Sequence, residues 1–347
     1  WMSNMVSIAG ITVSAVGYLG FISPLLDASS TQYHHLLALG IEIIIIWVFA
    51  LINIVGIHTA GVVQLALTVI KIIPLLFVIA LGFSHIHLAN YSPFVTADQS
   101  PFLSLSRAAA LTFWAFIGLE SATVPAENTK GTQDVYRATV YGTLMTSFIY
   151  ILSTVVLMGM IPMASLKASQ FPFATASTLI FGAKAALIIT LCATLSGLGS
   201  INVCTLVQGQ IVFAAARDRL FPHRFAKLSK DKVPVAGQLL STSLITVFLI
   251  LTMQPTLLKQ FDNIANLAAL LTLMTYFASA LAEVKFRYLE LPTRWFKDKS
   301  LLITLLASFY AIWMMASFSV SIILAGLGLL ALCIPVYYLT ARSTHAE

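Results

Sequence analysis

Residues Phe113-Trp114-Ala115-Phe116-Ile117-Gly118-Leu119-Glu120-Ser121, followed by Pro125, form an apolar run that is broken where a membrane helix should be most regular. Gly118 tolerates backbone angles closed to other residues, and Pro125 has no N–H to donate. Glu120 places a carboxyl group beside the break. Non-helical backbone at membrane depth is tolerated only where it lines a cavity or is buried in protein. The carbonyl and N–H groups that it frees can receive ammonium and carboxylate groups. The alternative is a kinked helix whose Glu120 is hydrogen-bonded to a neighbour.

The rest of the chain is as apolar as this run. Of 347 residues, 59% are hydrophobic and 9% charged, and the mean hydropathy is +0.93. Soluble domains carry about 25% charged residues. So few charges cannot cover a water-facing surface, which excludes a soluble enzyme, a nucleic-acid binder and a disordered protein. Cys192, Cys204 and Cys333 lie scattered in apolar runs. Such a set forms neither a disulfide framework nor a zinc site.

A membrane helix needs about 20 predominantly apolar residues. Ten such spans are expected, at 2–26, 36–57, 61–83, 107–126, 139–161, 185–214, 235–253, 264–284, 300–319 and 321–341. They make 1–341 a single polytopic domain with a short tail, 342–347. Fourteen Lys and Arg residues fall on one side of these spans, chiefly between Arg217 and Lys232 and between Lys285 and Lys299, against four on the other. Cytoplasmic loops collect such residues, so the basic side and both chain ends are expected to face the cytoplasm of a cell (inner) membrane. The chain opens at Trp1 inside an apolar segment with no charged leader, and the expectation is of a fragment whose beginning is missing.

Ionisable residues within spans cost about 2.5–3.5 kcal/mol on insertion scales and mark function. Glu42, Lys71 and Glu120 are the three present. Glu42 is close enough to a span end to reach the interface, and a bland role is expected there. Lys71 is central, and Gln64, Thr68 and Lys71 share one helix face. A Lys in such a stripe can exchange protons with its surroundings. A Lys held permanently by carbonyls is the structural alternative. Ser3, Ser7, Gly10, Ser14 and Gly17 form a small-residue stripe, which means close helix packing. All seven histidines lie in loops or at span ends, leaving no haem ligand pair and no catalytic set. No cofactor is expected.

Phe113 through Ala122 resembles the sixth-helix motif of the amino acid–polyamine–organocation (APC) superfamily, in particular its basic amino acid/polyamine antiporter branch, which includes the arginine/agmatine antiporters. Ala215-Ala216-Arg217-Asp218-Arg219-Leu220-Phe221-Pro222 resembles the loop after the eighth helix. Gln64, Thr68, Lys71 and Pro74 resemble the fifth, and Trp1 through Leu19 the third. The resemblance implies an all-α integral membrane protein of LeuT-type inverted-repeat fold, lacking its first two helices, with the ten spans as family helices three to twelve.

By position, Trp114 would cover a substrate, the carbonyls of Trp114 and Ile117 would receive its amino group, and Ala115, Gly118 and Glu120 would belong to the same substrate-binding segment. Ser3 and Asn4 match third-helix contacts of arginine-type members. Ile8, Cys204 and Ala268 fall where those members have polar or aromatic contacts, which argues against arginine as the substrate. Lys71 matches a lysine that stands in for a sodium ion in proton-coupled relatives, and Glu120 is a second proton-coupling candidate. Gly131-Thr132-Gln133-Asp134 replaces the usual Asn-Pro-x-Arg element after the sixth helix.

The resemblance implies an amino acid permease that works by alternating access, as a proton-coupled symporter or an exchanger. The alternatives are a basic amino acid/polyamine antiporter and a truncated, inactive scaffold. Implied partners are an amino acid or amine, the lipid bilayer, protons and a second copy of the chain as a homodimer.

Overall fold

The computed structural model describes residues 1–23, 32–55, 57–92, 100–119, 132–169, 171–230, 232–254, 256–290 and 299–335. Glu120 and Pro125 lie outside the described residues, as do the side chains of Gln64 and Pro74. All regular elements among the described residues are helical. The chain forms α1 (Met2–Ile22), α2 (Gln32–Val55) and α3 (Ile57–Gly82), then 3-10 turns at Phe83–His85 and Leu88–Tyr91. α4 (Pro101–Phe113) runs into a 3-10 turn at Trp114–Phe116. α5 (Thr132–Met160), α6 (Met163–Ala168), α7 (Pro172–Phe181) and α8 (Ala183–Arg217) follow. After a 3-10 turn at His223–Ala226 come α9 (Val235–Leu251), α10 (Leu257–Glu290), α11 (Lys299–Met315) and α12 (Val320–Ala331).

Among the described residues, six helices are long and apolar enough to cross a bilayer, and the α11–α12 pair, bent by 113°, makes a seventh if it is one span. The ten expected spans therefore differ from the helices at three places. In the run at 107–126, the described residues, which end at Leu119, are the last part of a short helix, α4, followed by broken backbone. The run at 235–253 is the 17-residue α9, capped by Pro234 and Thr252. The two runs beyond residue 300 meet at a bend, where Ser317 and Phe318 donate to the carbonyls of Met314 and Met315 and close α11. Apolar composition carries no record of a bend. α6 and α7 were not expected at all. Pro172 at the first turn opens α7, and Gly182, at φ +77°, closes it.

α1 is the centre of the bundle and packs chiefly against α8 and α10. Small residues bring the backbones close: a Cβ on Gly197 would lie 3.0 Å from Cβ of Ala15. Met5, Ile8 and Val13 of α1 join Ile46, Ile201, Leu249, Ile264 and Ala268 in the main core. Phe113, Leu270 and Met314 form a second cluster that seats the end of α4. Between apolar helices, packing and interhelical hydrogen bonds provide the association. Trp47 Nε1 donates to Thr246 Oγ1 at 3.1 Å, Asn53 Nδ2 to Asn202 Oδ1 at 3.0 Å, and Gln238 Nε2 to the Thr205 carbonyl at 3.2 Å.

Glu42 does not reach the interface as expected. It is 1% exposed, and neither carboxyl oxygen has a hydrogen-bond partner among the described residues. The reason is helical phase. Ala38, Glu42, Ile46, Ala50 and Asn53 are all buried and form one inward stripe of α2.

Candidate functional site

The broken segment is built by two local events. After Phe113 the backbone tightens into the Trp114–Phe116 turn, in which the Ile117 N–H donates to the Trp114 carbonyl at 3.2 Å. Ile117 is then extended (φ −64°, ψ 133°), and Gly118 adopts φ +105°. A Cβ on Gly118 would meet nothing within 4 Å, so the requirement for glycine here is conformational and not steric.

Two cavities flank Trp114. The first, of about 290 Å³, lies towards the α1 end that carries Trp1 and is lined by Ser3, Asn4, Ser7, Trp114, Ala115, Ile117, Gly118 and Cys204, with Tyr150, Thr272, Thr275 and Tyr276 opposite. The second, of about 260 Å³, lies towards the other end of α1 and is lined by Ser14, Tyr18, Lys71, Cys192 and Ser196. Trp114 and Ile11 border both. The indole packs edge-on against Phe261, with ring centroids 5.7 Å apart. Trp114 is therefore a partition between the two spaces.

Seven expected residues thus come together around the first cavity: Ser3, Asn4, Trp114, Ala115, Ile117, Gly118 and Cys204. Ile8 and Ala268 do not line either cavity. They are 1% and 0% exposed within the main core, because the faces of α1 and α10 that carry them form the helix contact itself. One turn beyond Ala268, Thr272 faces the cavity and donates to the Ala268 carbonyl at 2.9 Å. Lys71 stands in the second cavity, on the far side of Trp114. Glu120 lies outside the described residues.

The polar groups of the first cavity are already ordered. Asn4 Nδ2 donates to the Cys204 carbonyl at 2.9 Å and to Gln208 Oε1 at 2.5 Å. Both amide protons are engaged, so Asn4 offers its Oδ1, an acceptor. Ser3 and Thr272 share a hydrogen bond between their hydroxyls. Ser7 Oγ is buried with no hydrogen-bond partner among the described residues, and Ser7 borders the cavity. The described lining contains hydroxyls, amides and aromatic rings but no Asp, Glu, Lys or Arg side chain. It suits a small solute whose amino group needs oxygen acceptors and whose side chain is uncharged.

Sequence reasoning placed Ser7 in a packing stripe and missed Tyr150, Thr272, Thr275 and Tyr276. Ser7 was within reach, since it stands one turn from both Ser3 and Asn4. The other four come from α5 and α10, far along the chain, and left no local signal.

A helix that gives way to irregular backbone beside a small cavity, within an apolar helical bundle, is an arrangement that solute-transporter-type membrane proteins use. The amino acid permease family model matches residues 1–344. The chain belongs to that family, within the APC superfamily, and its helical fold agrees with the LeuT type. The family is one of permeases and not of enzymes. Among its relatives are the cadaverine/lysine antiporter of Escherichia coli K12 (29% identical over 297 residues), a putative arginine/ornithine antiporter of Bacillus subtilis 168 (26% over 301) and the putrescine transporter PotE of Escherichia coli K12 (28% over 286). All three belong to the basic amino acid/polyamine antiporter branch. Each match covers 82% of this chain and 64% of the relative, so the chain spans less than two thirds of the length of these proteins.

Proposed function

We propose that the chain forms the helical core of a secondary active transporter of amino acids that works by alternating access, as a proton-coupled symporter or an exchanger. The observation that carries this reading is the unwound Trp114–Gly118 segment beside a cavity of about 290 Å³. That volume is just below the range of small-molecule sites, about 300 to 1,000 Å³, and suits a small solute. Carbonyls at the break and Asn4 Oδ1 supply acceptors for a substrate ammonium group. Trp114 separates this cavity from the one that holds Lys71, and movement of one such partition is what alternating access requires. Lys71, on the far side, is the candidate proton carrier. The basic connections and both ends face the cytoplasm, in accord with the positive-inside rule.

A second reading, a basic amino acid/polyamine antiporter, is favoured by what the relatives are named for. It requires an acidic partner for the second amine, and Glu120, next to the break, is the candidate. The test is uptake into proteoliposomes by the chain alone and within its full reading frame. Saturable amino acid uptake driven by an imposed proton gradient supports symport, and acceleration by internal substrate supports exchange. Absence of saturable uptake in both preparations overturns the proposal and leaves an inactive scaffold.

A further inference from the structure

The connection from α8 to α9 carries Arg217, Arg219, Arg224, Lys227, Lys230 and Lys232, all exposed, against two acids in sequence, Asp218 and Asp231. None of the six cations forms an ion pair among the described residues. The segment is nonetheless fixed to the bundle. Phe225 is buried against Val212 and Ala216, and Val233 is 2% exposed. Phe221 meets Trp1 edge-on at 5.2 Å and Phe225 at 6.2 Å. Arg224 stacks over the Phe225 ring at 4.9 Å. Leu220 and Leu228 point outward, 49% and 43% exposed, among the cations.

Two of these cations stand where glycine is favoured. Arg219 and Lys232, at φ 60° and 59°, are the two non-glycine residues with positive φ among the described residues. Arg219 occupies the left-handed position of a helix-terminating motif, in which Leu220 N donates to the Ala215 carbonyl at 2.8 Å and Arg219 N to that of Ala216 at 3.2 Å. Lys232 closes a turn through its N–H, which donates to the Ser229 carbonyl at 3.0 Å. Both side chains strain the backbone and form no ion pair among the described residues.

We propose that Arg217, Arg219, Arg224, Lys227, Lys230 and Lys232 form a binding site for anionic phospholipid headgroups of the leaflet at their end of the bilayer. Polybasic runs immediately beyond a span attract anionic headgroups. The exposed Leu220 and Leu228 among the cations add apolar surface for the boundary between headgroups and acyl chains. The aromatic contacts hold the cations at one level, and the capping turns fix the backbone at Arg219 and Lys232. The proposal rests on the membrane architecture alone and not on the transport reading.

The full chain, reconstituted in vesicles of phosphatidylcholine and phosphatidylglycerol at about 7:3, would be probed with spin-labelled forms of each lipid. The immobilised fraction should favour phosphatidylglycerol, and rising salt should reduce that preference. Arg219→Gly with Lys232→Gly should lower the preference by about fivefold or more while keeping or raising the thermal midpoint. Arg219→Lys with Lys232→Arg should keep the preference. Lys227→Gln with Lys230→Gln, which leaves both strained positions untouched, should also lower it and decides the matter if the glycine variant fails to fold. Equal immobilisation of the two lipids by the unaltered chain, or an unchanged preference in the charge-removed variants, overturns the proposal.

Discussion

The indole of Trp114 is seated over Gly10 of α1: a methyl group at residue 10 would come 2.9 Å from Cη2 of the indole and 3.1 Å from Cγ2 of Ile264. The partition between the two cavities thus depends on a missing side chain on the helix opposite. Overpacking of this kind costs about 1–3 kcal/mol. Gly10→Ala should lower the uptake proposed for this protein by about tenfold. Adding Trp114→Phe, which removes the crowding ring, should recover part of the loss. Full uptake by Gly10→Ala alone would show that the indole does not need this seat.

Two glycines separate conformation from space. A Cβ meets nothing within 4 Å at either Gly118 or Gly142, yet of the two Gly118 alone has positive φ. Gly118→Ala should lower the thermal midpoint in detergent, with left-handed backbone costing about 1–2 kcal/mol for a residue with a Cβ. Gly142→Ala, inside α5, should raise stability by about 0.5–1 kcal/mol. Equal shifts in the two variants would contradict the broken backbone at Gly118.

Lys71 lines the cavity beyond Trp114 and not the one proposed for substrate. Lys71→Ala should therefore flatten the pH dependence of uptake while leaving the substrate concentration for half-maximal exchange within about twofold, since no direct contact is lost. Uptake that keeps its pH profile in this variant would mark Lys71 as structural.

The described lining of the first cavity holds no carboxylate. A guanidinium presents five donors and stays charged. Each donor left unpaired in a buried site costs about 1–3 kcal/mol. Leucine, alanine or serine should compete for uptake at concentrations at least about tenfold below those needed by arginine or cadaverine. The reverse order would favour the polyamine antiporter reading and point to Glu120.

Glu42 is buried in the inward stripe of α2 with no partner among the described residues for either oxygen. A buried polar group without a hydrogen bond costs about 1–3 kcal/mol on mutational scales. Glu42→Leu should raise the thermal midpoint in detergent, with Glu42→Gln close to the unaltered protein. A lower midpoint for the leucine variant would reveal a partner for the carboxyl group.

Much of the architecture can be read residue by residue. A span must satisfy its own backbone hydrogen bonds, so its existence is decided by about 20 consecutive side chains. The same locality made the break at Gly118 legible, because positive φ is a property of one residue and its neighbours. The inward stripe from Ala38 to Asn53 is local as well, because its helical period runs through Glu42. What only the tertiary structure decided is which face of each helix meets which space. Ile8 and Ser7 are adjacent on α1, yet one fills the core and the other borders the cavity. Cys204, Tyr150 and Thr272 reach that cavity from three different helices, while Ala268, one turn from Thr272, is packed away. Helix rotation is set by side-chain packing between segments far apart in the chain. At the 113° bend between α11 and α12, local hydrogen bonds close α11, and Phe318 packs in one cluster with Phe113 and Leu270 from distant helices.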